Sequence, residues 1–228
     1  LAIDSQHLYY FNTQHYVSFE ELVSKQEMTR LVQEITLTIN ERLSVKLAQK
    51  NQDIFPLRDL WRENEYLQRF VRKKSLLHVL SQLTEERKIS LGYDLVLGKR
   101  QSLFPNEKFT DFSLPSYPGK QTLQQVSSCQ EVLGGILVFC GNKEDGIKVA
   151  LSENEEEIKP GQFVFLHKEC EIDFVSLMNQ ESVYLLVFGK PPLVYIHNAQ
   201  DPYHYSWRDL GYEFGDRLKD KTHPQILF

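Results

Sequence analysis

The stretch PGQFVFLHKECEIDF, residues 160–174, carries the strand signal on which the fold assignment depends. A Pro-Gly turn precedes four consecutive apolar residues, Phe163 to Leu166, as expected for a buried strand that begins after a tight turn. A histidine and three carboxylates then follow at alternate positions: His167, Glu169, Glu171 and Asp173. Alternate residues of a strand share one face. The pattern is therefore either the polar end of a buried strand or one half of a metal site.

Short apolar runs of the same kind recur from Ile89 onward and are separated by turns. The predicted strands are Ile89–Leu97, Leu123–Val126, Gly135–Cys140, Ile147–Ala150, Phe163–Leu166, Asp173–Met178, Val183–Phe188 and Leu193–Ile196. Seven or eight short strands at this spacing indicate a sandwich or a jelly roll. We expect an α+β fold: a cupin-like double-stranded β-helix (jelly roll) with an N-terminal helical layer packed on it.

The first 88 residues are predicted to be mainly helical. Ser24 and Glu27 form a capping-box pattern, and an apolar stripe behind it predicts a long amphipathic helix from Lys25 to Ala48. DLWRENEYLQRFVRKK predicts a second helix, and Ser75 is expected to cap a third. Residues 89–200 would form the roll, and residues 201–228 an ordered tail with a short helix and no strand. We expect one domain over residues 1–228.

Composition restricts the classes of function. The 228 residues carry a formal net charge of −5 without a basic stripe, which argues against nucleic acid as a partner. The apolar runs are too short to span a membrane. Three cysteines without a CxxC pair are expected to be buried core residues in a reducing compartment. The opening stretch lacks the pattern of a signal peptide, which favours a cytoplasmic location, although a chain beginning with Leu1 leaves open a removed leader or tag.

Several longer stretches resemble a known superfamily. HYVSFEELVSKQEMTRLVQEI and the segment from Asp53 to Leu97 look like the strand-into-helix opening and helical pair of phytanoyl-CoA dioxygenase-like proteins. IKPGQFVFLH and LGYEFGDRLKDKTHP look like a late roll strand and the tail of the same branch. The chain thus resembles the iron(II)/2-oxoglutarate oxygenases. The resemblance implies a jelly roll whose iron is held by a His-x-Asp pair and a distal histidine, with an arginine for 2-oxoglutarate.

The functional residues of that superfamily are absent at the matching positions. Thr122 to Gln130 contains neither a histidine nor a carboxylate where the His-x-Asp pair would lie. Glu171 or Ile172 occupies the place of the distal histidine, and no arginine follows before Arg208. Two imidazoles and a carboxylate are the usual ligand set of such iron sites. The sequence therefore predicts a degenerate site with no catalytic residues and no cofactor, in a non-catalytic relative that serves as a binding or scaffold protein.

Two alternatives remain open. An active iron(II)/2-oxoglutarate-dependent hydroxylase with unusual ligands would use His167 and Glu169, with His197 or His204 as the second imidazole; iron(II) and 2-oxoglutarate are expected only in this case. A structural or interaction protein would instead use the helical face or the aromatic tail, where Tyr203, Tyr205 and Trp207 alternate with polar residues. The partner is an unknown small molecule or protein.

Overall fold

A computed structural model describes residues 2–48, 54–105, 112–141 and 144–227, with side chains given for all of these except residues 46–48. It is a mixed fold of helices and antiparallel sheet, as the sequence predicts. The helices are α1 (Ser5–Thr13), α2 (Lys25–Ala48), α3 (Glu65–Phe70), α4 (Lys74–Thr84), α5 (Arg100–Leu103) and α6 (Phe174–Met178), with 3₁₀ turns at Leu60–Arg62 and Ser206–Leu210. No helix among these residues is long and apolar enough to cross a membrane.

The strands form two sheets. They are β1 (Tyr16–Glu20), β2 (Lys88–Leu97), β3 (Lys120–Thr122), β4 (Val132–Phe139), β5 (Ile147–Leu151), β6 (Asn154–Ile158), β7 (Gln162–His167), β8 (Glu171–Asp173), β9 (Val183–Gly189) and β10 (Gln225–Leu227). The large sheet has the order β1-β7-β4-β9-β2-β10, and the small sheet the order β3-β8-β5-β6. From β2 to β9 the chain changes sheet at every step except between β5 and β6, which pair with each other in the small sheet.

The helical layer covers the outer face of the large sheet. Ile35 and Ile39 of α2 line a narrow gap with Val96 of β2. The capping box that begins α2 is present: the Ser24 amide donates to Glu27 at 3.0 Å, and the Glu27 amide donates to the Ser24 hydroxyl at 3.2 Å. This reciprocal pair satisfies two amides of the first helical turn, and α2 begins where the sequence predicts.

Arg42 connects α2 to the loop that follows it. Its guanidinium donates to both carboxylate oxygens of Glu63, at 2.9 and 3.0 Å. It also donates to the carbonyl oxygens of Pro56, Arg58 and Asp59, at 2.7, 2.7 and 3.0 Å. These five bonds, which we call the Arg42 clamp, fix the path of the loop that carries Arg58 and Asp59 toward the C-terminal tail.

Two strand predictions are wrong, and the predicted strand Leu193–Ile196 forms only isolated bridges at Val194 and Tyr195. Leu123–Val126 lies in the turn after β3, where Leu123 is fully buried without pairing in a strand. Asp173–Met178 is not a strand, because Asp173 ends β8 and its carboxylate accepts a 3.0 Å bond from the Ser176 amide, which caps α6. In both places the apolar residues are buried by tertiary packing, which sequence periodicity does not distinguish from a strand.

Three further expectations are corrected. The predicted second helix is divided into the 3₁₀ turn and α3, because the Asn64 side chain accepts bonds from two amides and caps α3. Ser75 does not cap α4, since α4 begins at Lys74 and the Ser75 hydroxyl donates to the Leu22 carbonyl at 3.3 Å. The tail does contain a strand, β10, which pairs antiparallel with β2 at the edge of the large sheet. The three cysteines are free and buried, as predicted.

Candidate functional site

The turn after β3, where the sequence resemblance would place a His-x-Asp pair, is occupied by structural hydrogen bonds. The Gln124 side chain accepts from the Val132 amide at 3.1 Å and donates to the Cys129 carbonyl at 3.4 Å. The Gln125 side chain accepts from the Thr122 amide at 2.8 Å. Both side chains thus form hydrogen bonds with the backbone of this turn and its flanks. Their amide oxygens are used in these bonds and are not free to bind a metal in the roll.

The positions matched to the distal histidine and the arginine are also unsuited to iron and 2-oxoglutarate. Of the two residues at the place of the distal histidine, Glu171 is exposed at the start of β8, and Ile172 is fully buried and offers no ligand atom. At the start of β9, the Tyr184 hydroxyl donates to the buried carboxylate of Asp94 on β2. Burial raises the pKa of Tyr184 well above its usual value, so this side chain stays a neutral phenol and cannot replace an arginine.

Apolar side chains fill the space between the sheets next to these positions. A Cβ atom on Gly135 of β4 would lie 2.8 Å from Cδ1 of Leu123, so the two residues face each other across that space. Gly135 pairs with Leu166, which therefore points the same way. Leu123, Leu166 and Ile172 are all fully buried. A ligand at this place would have to displace these close-packed side chains.

A buried charged cluster lies where the C-terminal tail meets the loop before α3. Arg58 donates to Asp201 at 2.8 Å, and the two side chains are 2% and 0% exposed. The Arg58 guanidinium lies 3.7 Å from the centre of the Tyr93 ring, a cation–π contact in a desolvated setting. Asp201 also accepts from the amides of Ser128 and Tyr203, at 3.1 and 2.9 Å. We call this the Arg58–Asp201 cluster; it was not identified from the sequence.

The aromatic residues of the tail hold it against this cluster. The Tyr203 hydroxyl donates to the Phe55 carbonyl at 2.8 Å, and the Trp207 indole donates to Asp59 at 3.0 Å. Both rings are buried, whereas Tyr205 between them is 52% exposed. Two of the three alternating aromatic residues are therefore anchors.

A second group of ionisable side chains lies at the rim of the molecule, where β1 begins and β7 ends. His15, His167 and Glu169 each offer one ligand atom, and these atoms all lie within 4.8 Å of one another. The two imidazoles stack with ring centres 5.5 Å apart, and His15 Nε2 lies 3.7 Å from a Glu169 oxygen. We call this group the rim cluster. Among the described residues it is the only group of three or more such side chains arranged to hold a metal ion.

The His167 ring of the rim cluster lies on the side of the large sheet that α1 covers, whereas His15 and Glu169 line a cleft together with Thr122 and Glu171 of the small sheet. His167 follows Leu166, which faces the small sheet, so its ring points to the opposite face, where Phe11 of α1 meets it edge-on at 5.2 Å. Burial, with smaller contributions from His15 and Lys168, lowers the pKa of His167 despite the opposing effect of Glu169. A neutral imidazole is the form that binds metal.

His197, the third metal candidate from the sequence, is not a member of the rim cluster. Its ring packs edge-on against His204 at 5.3 Å and against Phe214 at 5.1 Å, on the tail. His204 Nδ1 lies 2.8 Å from the Asp201 carbonyl oxygen, and its ring contacts Tyr205. The imidazole that accompanies His167 and Glu169 is instead His15. It was missed because it is distant in the sequence and lies just before a strand whose partner was not predicted.

No family model matches the sequence, and no curated protein matches it. Solved structures do resemble the fold. The non-heme α-ketoglutarate-dependent carbocyclase SnoK from nogalamycin biosynthesis superposes with a TM-score of 0.64 at 10% identity, over 98% of this chain and 96% of SnoK. The epimerase SnoN, solved with Fe³⁺, α-ketoglutarate and nogalamycin RO, gives 0.63 at 11% identity, over 96% of this chain and 97% of SnoN.

HygX from Streptomyces hygroscopicus, solved with nickel and 2-oxoglutarate, gives a TM-score of 0.51 at 12% identity, over 84% of this chain and 88% of HygX. The chain therefore shares the fold of non-heme, 2-oxoglutarate-dependent enzymes. At these identities the likeness concerns the fold alone. At the positions that the sequence resemblance matches, this chain has Gln124, Ile172 and Tyr184, which carry no imidazole, carboxylate or guanidinium group.

Proposed function

We propose that this chain is a phytanoyl-CoA dioxygenase-like jelly-roll protein, a single domain, that has lost iron(II) and 2-oxoglutarate chemistry and acts as a binding or scaffold protein. The proposal rests on one observation: the side chains of Gln124 and Gln125 hydrogen-bond to the backbone of the turn after β3 and its flanks. The order of strands β2 to β9 over two facing sheets supports the jelly roll. The three buried, free cysteines support a cytoplasmic location.

The chemistry of the matched positions supports the loss of activity. Iron(II) needs two imidazoles and a carboxylate on one side, with adjoining positions open for the co-substrate and oxygen. Here those positions hold amides in hydrogen bonds and a buried isoleucine. A dicarboxylate in a buried site also needs a cationic partner, and bidentate Arg–carboxylate pairs are the strong ones. The Arg58 guanidinium faces Asp201 and is already neutralised.

The test measures whether 2-oxoglutarate binds in a metal-dependent way. Under anaerobic conditions with saturating iron(II), we expect 2-oxoglutarate to produce no visible charge-transfer band and no rise in the melting temperature. A ligand that binds only the native state would raise that temperature by mass action. A band, or a rise that a chelator abolishes, would contradict the proposal. Stabilisation by metal alone, unchanged by 2-oxoglutarate, would leave it intact and would locate metal elsewhere.

The hydroxylase alternative is favoured by one specific observation, the rim cluster, because it supplies two imidazoles and a carboxylate. If this group were the active site, the variants His15→Asn and Glu169→Gln would abolish the 2-oxoglutarate signals described above. The orientation of the His167 ring toward Phe11 of α1, on the face opposite Leu166, argues against this alternative.

A further inference from the structure

Two parts of the chain that are distant in the sequence meet at the rim cluster: His15 on one side, and His167 with Glu169 on the other. His15 and Glu169 are 31% and 62% exposed, so their meeting does not bury apolar surface. Two imidazole nitrogens and one carboxylate oxygen form a donor set suited to divalent transition metals. We propose that His15, His167 and Glu169 bind one divalent metal ion of the zinc type at the rim, outside the roll. This site is separate from the proposed function and does not depend on it.

The distances fit a metal after small side-chain movements. Zinc binds imidazole nitrogen and carboxylate oxygen at about 2.0–2.2 Å, so neighbouring ligand atoms in a tetrahedral site lie roughly 3.3 Å apart. His15 Nε2 and the Glu169 oxygen are 3.7 Å apart, and all three ligand atoms lie within 4.8 Å. The Glu169 amide donates to His167 Nδ1 at 3.2 Å, and coordination at Nδ1 exchanges this long hydrogen bond for a bond to metal.

The backbone holds two of the ligands in place. His15 adopts a left-handed conformation, with φ of 65°, which is uncommon for a residue other than glycine. Its carbonyl oxygen accepts a 2.9 Å bond from the His167 amide. The edge of Phe11 packs on the His167 ring at 5.2 Å. Such a strained backbone, kept by surrounding contacts, is typical of functional positions, and here it aims an imidazole at its partner.

The surroundings favour a cation and leave coordination positions open. His15 and Glu169 line a cleft of about 560 Å³ that also contains Glu153 and Glu171. Within the part of the chain that the structure describes, no lysine or arginine lines this cleft. Lys168 acts electrostatically on His167, and Lys120 donates to the carbonyl of Ser152, a lining residue, at 3.2 Å. Three protein ligands beside an open cleft leave room for water or a small external ligand on the metal, as in zinc sites with an open position.

The identity of the metal follows from the donor set. Magnesium and calcium prefer oxygen ligands throughout, so two imidazoles select against them. For nitrogen and oxygen donors, affinity rises from manganese and iron(II) toward copper, and zinc binds more tightly than iron(II). Zinc is therefore the expected occupant, and cobalt(II) is a coloured substitute whose visible spectrum reports coordination by nitrogen.

The experiment titrates the full chain, stripped with a chelator, with ZnCl₂ by calorimetry and with CoCl₂ by visible absorption. We expect one equivalent to bind in the micromolar range, with a cobalt spectrum that excess zinc removes, and no binding of MgCl₂. His15→Asn, which tolerates the left-handed backbone, and Glu169→Gln should each weaken binding more than about tenfold, the lower end of what even an outer-shell change costs.

The matched control is the other histidine pair, His197 and His204, whose rings lie 5.3 Å apart and which no carboxylate of the described residues completes to a group of three. The double variant His197→Ala/His204→Ala should bind zinc with wild-type affinity. The proposal is overturned if the wild type binds no zinc, if His15→Asn and Glu169→Gln both retain its affinity, or if binding is lost in the control. Metal-free melting temperatures equal to wild type show that the variants are folded.

Discussion

The Arg58–Asp201 cluster and the rim cluster are both built from charged or ionisable residues distant in the sequence, but they differ in access to water. The side chains of Arg58 and Asp201 are 2% and 0% exposed, and Asp201 has two amide donors besides the arginine. His15 and Glu169 remain 31% and 62% exposed and only approach each other. In the first arrangement the Asp201 carboxylate is satisfied within the protein, while Nε and Nη2 of Arg58 are buried with no hydrogen-bond partner among the described residues. In the second arrangement the side chains are open to solvent and to a ligand.

The fold alone would suggest that the Arg58–Asp201 cluster, and not the rim cluster, is the functional site. In a protein that shares its fold with 2-oxoglutarate-dependent enzymes, an arginine near the roll is the expected place to look for function. Here that arginine is enclosed by Tyr93, Tyr203 and Trp207, at 3.7, 5.4 and 5.7 Å from the ring centres. Burial with an internal counter-charge indicates a structural role. Substitutions in each cluster test whether the Arg58–Asp201 cluster is structural and the rim cluster is not.

The largest effect is expected for Asp201→Asn, which leaves the Arg58 charge buried without a counter-charge. Breaking a buried ion pair by removing one partner costs about 3–5 kcal/mol. We expect the free energy of unfolding, measured by urea denaturation, to fall by that amount. The double variant Arg58→Met/Asp201→Asn, which removes both charges and keeps one acceptor oxygen for the amides of Ser128 and Tyr203, should recover part of the loss. A change under about 1 kcal/mol for Asp201→Asn would mean that Arg58 has another anionic partner, and this distinction between the two clusters would fail.

A smaller loss is expected for Arg42→Lys. Lysine cannot reproduce the planar, bidentate contact with Glu63 or reach all three carbonyl oxygens of the Arg42 clamp. Hydrogen bonds to charged groups contribute about 1.5–3 kcal/mol, and we expect a loss in that range by urea denaturation. Arg30→Lys is the control, because Arg30 meets Glu34 at 3.4 Å on the surface and should change stability by less than about 1 kcal/mol. Equal effects would show that the clamp is dispensable.

The pH dependence of stability at His223 tests whether the C-terminal tail seals the region around Arg58 from solvent. It is 2% exposed beside Trp207, and burial lowers its pKa to about 3. Because the unfolded chain binds this proton from about pH 6.5 and the folded protein does not, stability is lost as pH falls between these values, by up to about 1.4 kcal/mol per pH unit. The variant His223→Gln should lose less over that interval.

Subtracting the pH profile of His223→Gln from that of the wild type separates the contribution of His223 to stability from that of Asp94. Burial raises the pKa of Asp94 to about 6, so its contribution has the opposite sign and increases stability as pH falls from about 6 toward 4. Asp94 is the same in both proteins, and its effect cancels in the comparison. Parallel pH profiles for wild type and His223→Gln would show that His223 is accessible to protons, and that the tail does not seal it.

The smallest effect on stability belongs to the rim. Without metal, Glu169→Gln and His15→Asn should change the free energy of unfolding by no more than about 0.5 kcal/mol, as is usual for exposed positions. Urea denaturation in the presence of a chelator measures this. A loss above about 2 kcal/mol for either variant would make the rim cluster a structural element like the Arg58–Asp201 cluster.

Local patterns in the sequence predicted local structure well. The start of α2 is fixed by Ser24 and Glu27, and both groups lie within one helical turn. The turn containing Leu123 was mistaken for a strand because its apolar residues are buried by a facing sheet, which no local pattern reveals. The identity of the groups at the matched oxygenase positions was visible in the sequence. Only the structure shows that their side chains hydrogen-bond to the backbone of the turn and of β4.

The rim cluster was half visible. His167 and Glu169 stood out by their spacing, but the second imidazole depends on the pairing of β1 with β7, in which Tyr16 lies opposite Leu166. That register brings His15 next to His167. An antiparallel pair between such distant strands is set by which hydrophobic faces pack together, and the sequence of either strand alone does not contain it.

The position of Asp201 in the chain has a consequence for biosynthesis. During translation Arg58 leaves the ribosome long before Asp201, Tyr203 and Trp207 exist. The Arg42 clamp needs only residues up to Glu63, so the loop can take its path early while the Arg58 guanidinium stays hydrated. Strand β2 likewise lacks its partner β10 until the end of the chain is synthesised. The enclosure of Arg58, the most deeply buried arginine of the described residues, is therefore a late event, completed only when the tail emerges.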